Sequence, residues 1–130
     1  MGNAGDAIMR SSLKNAEGLG ASGEGSHHWW VQRVSAVLLV PLTLVVIFCL
    51  LHAMSMDLAA AKAWVSEFYV SSTLALFVTV ALYHSQLGLQ VVLEDYVSHH
   101  GWRIAFIFLM RALMLLAGTL AVFSILRIAL

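Results

Sequence analysis

The chain has 130 residues, 61% of them hydrophobic and 11% charged, about half the charge of a soluble domain, so it reads as an integral membrane protein. Seven basic and seven acidic side chains cancel, which removes the positive field that nucleic-acid binding needs. A lone cysteine, Cys49, excludes an intrachain disulfide or a Cys-based zinc site, and the length leaves no room for a flavin- or nucleotide-binding domain beside spanning helices.

Residues 1–26 are rich in Gly, Ala, Ser and Asn with scattered charges and no long apolar run. They are expected to form a flexible tail. The first apolar run begins only after Arg33, too late for a secretory signal, so the N-terminus is expected to be retained.

Residues 27–130 are expected to form one membrane domain. Three uncharged or nearly uncharged stretches follow one another: 34–56 between Arg33 and Asp57, 68–93 between Glu67 and Glu94, and 104–126, interrupted by Arg111. Each exceeds the ~20 residues that cross a bilayer, and none alternates like a barrel strand. Unpaired backbone is too costly in lipid, so each predicts a helix, at about 31–56, 66–96 and 102–128. The fold class is therefore all-α, with Pro41 expected to kink the first helix. Arg10, Lys14, Arg33 and Arg103 flank one side, Lys62 and Arg127 the other, which predicts a cytoplasmic N-terminus and a periplasmic C-terminus. Trp29, Trp30 and Trp102 would then line the cytoplasmic interface, with Trp64 and Tyr69 at the outer one.

Polar groups concentrate in 83–103, which reads YHSQLGLQVVLEDYVSHHGWR. His84 stands ten residues before Glu94, about 15 Å along a helix at ~1.5 Å per residue, and is thus well inside hydrocarbon. Neutral imidazole brings a lone pair without charge and suits haem iron as an axial ligand. Gly88, Val91 and Asp95 share its face, and Gly88 opens the shallow surface that a flat porphyrin needs. Helix packing is the competing reading, because His84–Gly88 and Ala81–Ser85 also have the small-xxx-small spacing. Asp95 and Tyr96, at the end of that helix, could hydrogen-bond and help protonate a quinone carbonyl; alternatively they are a solvated acid and an interfacial anchor.

Arg111 lies eight residues past Arg103, about 12 Å into the third helix. It either meets a haem propionate or an acid of another chain, or snorkels to the interface. Arg33, with His27 and His28, could reach propionates or lipid headgroups. His99 and His100 are expected in solvent and His52 at the outer interface, with no metal-ligand spacing among them.

His84, Gly88 and Asp95-Tyr96-Val97, together with Gln32-Arg33-Val34-Ser35-Ala36 before the first apolar run, resemble the small hydrophobic membrane-anchor subunit of succinate dehydrogenase, respiratory complex II, of the bacterial D-subunit type. The likeness covers roughly His27 to the C-terminus. It implies a three-helix anchor that packs with a companion cytochrome b anchor and carries an iron–sulfur and a flavoprotein subunit at the inner membrane. It implies that His84 is one axial ligand of a shared haem b, the second coming from the companion, and that Tyr96 contacts ubiquinone with Asp95 beside it. Succinate chemistry would lie on other chains, and this one would serve electron transfer to quinone. Arg111 departs from the apolar pattern of the family.

Other readings remain: the anchor of a quinol:fumarate reductase, or a cofactor-free three-helix membrane protein whose polar residues only hold helices together. A self-contained dihaem cytochrome would need deep histidines on several helices, and a transporter would need paired intramembrane acids or repeats.

Overall fold

The computed structural model describes residues 20–130, with side chains from Ser26 onward. These residues form helices α1 (Gly20–Ala53), α2 (Leu58–Val65), α3 (Phe68–Tyr96) and α4 (His100–Ala129), with no strand among them. Three of the helices, α1, α3 and α4, are long and apolar enough to cross a membrane. These are the three expected spans. Residues 1–19 of the expected tail lie outside the described residues, and α1 already begins at Gly20.

The chain divides between Val31 and Gln32 into two units. In the first, the rings of Trp29 and Trp30 meet edge to face at 5.2 Å. In the second, α1 runs through Pro41 to its end at Ala53. There Ser55 Oγ donates to the His52 carbonyl at 2.7 Å and closes the last turn, so the helix stops short of the expected residue 56.

Helix α2 was not expected from the sequence, where residues 57–65 read as a connection. Its origin is local. Asp57 sits in extended conformation as N-cap, and its carboxylate accepts the Ala60 N–H at 2.7 Å, which satisfies one orphan donor of the first turn. The three alanines that follow carry the highest helix propensity. Ser66 ends the helix, its Oγ donating to the Ala63 carbonyl at 2.6 Å. At this end of the domain, His52 of α1 stacks on Phe48 and meets Trp64 of α2 edge to face at 5.0 Å. His52 and Trp64, expected from the sequence at the outer interface, thus belong to a small aromatic cluster.

Helices α3 and α4 pair as an antiparallel hairpin joined by residues 97–99. Arg103, in the first turn of α4, holds that turn by donating from Nε to the Val97 carbonyl at 2.9 Å, a carbonyl left over at the end of α3. Farther along, a Cβ placed on Gly118 would stand 3.2 Å from Cδ1 of Leu82. The absence of a side chain at 118 is therefore what lets α4 approach α3 closely, as small residues do between membrane helices.

The interior is thin. Buried apolar side chains are Val46, Cys49, Val70, Leu87 and Met110, whereas Phe48, Leu51, Phe108, Leu115 and Phe123 are all more than 60% exposed. So much outward apolar surface needs lipid or other chains against it. Four hydroxyls within the spans are satisfied at home: Thr73, Thr79, Thr119 and Ser124 each donate to the carbonyl four residues back, which removes their need for water at depth.

Candidate functional site

Where α1 faces α3, four residues meet: Gln32 and Ser35 from α1, His84 and Gly88 from α3. Gln32 and Ser35 are three residues apart and so lie on one helix face, as do His84 and Gly88 four apart. Ser35 is buried, with 6% of its surface exposed. Its Oγ donates to the Gln32 carbonyl at 3.0 Å and lies 2.9 Å from Nδ1 of His84. His84 is half-buried and twelve residues before the end of α3, which is ~18 Å along the helix.

Gly88 faces the same way. A Cβ there would lie 3.6 Å from Nε2 of Gln32, an ordinary contact, so the Gln32 amide covers the surface that glycine leaves open. The Gln32 Oε1 is buried without a hydrogen-bond partner. An acceptor of that kind within a spanning helix is costly unless a donor from outside the chain completes it. His28 Nε2, before the first apolar run, is likewise buried and without a partner.

The other predicted residues fall elsewhere. Asp95 and Tyr96 are exposed at the end of α3, Tyr96 by 85%, about 16–18 Å from His84 along the helix. Arg33 is exposed on α1 beside Gln32. Arg111 does not join the His84 face: its Nη2 donates to Oε1 of Gln90 at 2.9 Å, and Gln90 Nε2 donates to Glu94 at 2.8 Å. Gln90 is six residues past His84, hence ~120° away around α3. The trio is an ion pair bridged by an amide, whose carbonyl end meets the cation and whose NH2 end meets the anion. Arg111 therefore has a partner within this chain, which depth alone did not reveal. Replacing Gln90 by Leu removes the bridge and is expected to destabilise the α3–α4 hairpin by about 1 kcal/mol, read as a lower thermal midpoint in detergent with an unchanged cofactor spectrum.

Sequence reasoning missed Ser35, Gln32, Gln90 and Glu94 as contributors. A signal existed for the first pair, since Gln32 and Ser35 are the polar residues with helical spacing where the first apolar run opens.

Among the described residues, no three His, Cys, Asp or Glu side chains converge to hold a metal ion. A haem needs less from one chain. It takes a single neutral imidazole with its other nitrogen anchored, and a small-residue flank. His84, with Nδ1 anchored by Ser35, fits the first of these, and the flank at Gly88 is occupied by the Gln32 amide.

The family described as succinate dehydrogenase/fumarate reductase transmembrane subunit matches residues 8–126. Over 96 residues the chain is 31% identical to the succinate dehydrogenase hydrophobic membrane anchor subunit of Rickettsia conorii, covering 73% of this chain and 76% of that one. The protein of the same name from Rickettsia felis is 35% identical over 88 residues, 68% and 73% of the two chains. That from Paracoccus denitrificans is 33% identical over 95 residues, 73% and 74%. No solved structure matches the chain.

Proposed function

This chain belongs to the succinate dehydrogenase/fumarate reductase transmembrane subunit family, and from that membership we propose that it anchors a succinate:ubiquinone oxidoreductase, supplies one axial ligand to a haem b and forms part of the ubiquinone site. The relatives' names favour succinate oxidation over the fumarate-reducing direction. The chain has no succinate chemistry of its own. It works with a companion cytochrome b anchor, which provides the second ligand, and with an iron–sulfur and a flavoprotein subunit, in the bacterial inner membrane with the N-terminus cytoplasmic.

The observation that carries this reading is His84: a half-buried imidazole deep in a span, anchored at Nδ1 by a buried hydroxyl and flanked by a glycine. A cofactor-free helix contact explains the hydrogen bond but not the unpartnered Gln32 acceptor in the same patch. When bound, haem supplies a one-electron store at the subunit interface. What this chain does is hold His84 at a fixed depth and rotation and keep water from it with the apolar flanks of α1 and α3. At the end of α3, the exposed phenol of Tyr96 donates a hydrogen bond to a quinone carbonyl, with Asp95 beside it where protons arrive from water. Arg33, beside Gln32 on α1, and Arg111, at depth on α4, are the cations offered to propionates. For Arg111 that would mean leaving Gln90.

Purifying the complex through a tag on this chain tests the proposal. The expected result is a red complex that contains haem b and reduces ubiquinone with succinate. A colourless preparation without that activity would leave the chain as a structural membrane protein.

A further inference from the structure

We infer that Ser35 is a positioning residue that sets the tautomer of His84, and through it the electron-donating strength of the haem ligand. This inference rests on the reading of His84 as that ligand.

A serine hydroxyl has one proton to give and two lone pairs. The Gln32 carbonyl, 3.0 Å from Ser35 Oγ, can only accept, so it takes the hydroxyl proton. The oxygen then faces His84 Nδ1 at 2.9 Å as an acceptor, which requires Nδ1 to carry the hydrogen and leaves the lone pair of the neutral ring on Nε2. Ligand chemistry leads to the same state. An imidazole bound to iron through Nε2 keeps its proton on Nδ1 and needs an acceptor there.

Burial decides how much this bond matters. With Ser35 only 6% exposed, water cannot replace it, and an unpaired Nδ1–H in this environment would be costly. The three groups form a short chain, Nδ1–H to Oγ–H to the Gln32 carbonyl, in which each bond polarises the next. A hydroxyl polarised in this way accepts more strongly than an isolated one, yet brings no charge into the span, as a carboxylate would. A stronger acceptor at Nδ1 makes the ring a better donor at Nε2 and favours the ferric state. The bond also gives α1 a purpose at the site: the hydroxyl comes from a helix 49 residues away in sequence and holds the rotation of the ring as well as its tautomer.

The test uses the assembled, purified complex, with haem content per complex and the haem midpoint potential as readouts. For Ser35→Ala the expected result is a haem midpoint potential shifted upward and a haem affinity lowered about 10- to 100-fold, the usual effect of losing an outer-shell partner. Ser35→Thr keeps the hydroxyl and is expected to retain wild-type potential and haem content. If Ser35→Ala fails to assemble, Ser35→Cys, whose thiol is a weak acceptor, is expected to show the same upward shift. Wild-type potential and haem content in the Ala or Cys complex would overturn the inference while leaving His84 as ligand. Full haem content in His84→Ala would overturn the ligand assignment itself, and the role of Ser35 with it.

Discussion

In the assembled complex, His84→Ala is expected to abolish stoichiometric haem b. The loss should exceed the 10- to 100-fold that outer-shell changes cost in metal affinity, because the substitution removes a bond to iron itself. Among the described residues no cluster of His, Cys, Asp and Glu could hold a metal, and His52 is committed to the aromatic cluster with Phe48 and Trp64 at the far end of α1. His99 and His100 are exposed beyond the end of α3, more than 20 Å along the chain from His84 by helical rise. Extracted haem per complex, measured against total protein, reads the effect. The variant also leaves Ser35 Oγ without its partner across the α1–α3 contact, so a lower thermal midpoint should accompany the loss. Wild-type haem content in the variant would remove His84 from the site.

The second large effect is expected at Tyr96. Tyr96→Phe deletes one oxygen from a side chain that is 85% exposed on this chain, so the fold should not register it. If the phenol fixes the quinone by a hydrogen bond worth about 1 kcal/mol, the variant should lose roughly fivefold in kcat/KM for ubiquinone reduction. Haem content should be unchanged, since Tyr96 stands some 18 Å along α3 from His84. The two variants thus separate the two ends of one helix: His84→Ala removes the haem, and Tyr96→Phe keeps it and slows quinone. Undiminished quinone reduction by Tyr96→Phe would exclude the phenol from the site.

The spans were legible because charges mark most of their ends: Asp57, Glu67, Glu94 and Arg103 each lie within a few residues of a helix boundary, whereas Arg33 stands well inside α1, which begins at Gly20. Helix α2 was not legible, since eight residues between two apolar runs read equally well as a loop, and only the capping bond from Asp57 to Ala60 N distinguishes the two. Depth could be read by counting residues, which is how His84 and Arg111 stood out as ionisable groups inside a membrane. Rotation could not. Helices that are apolar on every side carry no periodicity to show which face meets which. That is why the pairing of His84 with Ser35, and of Arg111 with Gln90, emerged only with the helices packed. Both pairs cross between helices, and in each the sequence showed one polar partner at depth but not its mate.

Whether His84 brings a haem to this helix is read most directly from the reduced-minus-oxidised visible spectrum of the detergent-solubilised complex, wild type beside His84→Ala. The expected result is a b-type α-band in the wild type that is absent from the variant. A band of equal size in both, or none in the wild type, would contradict it.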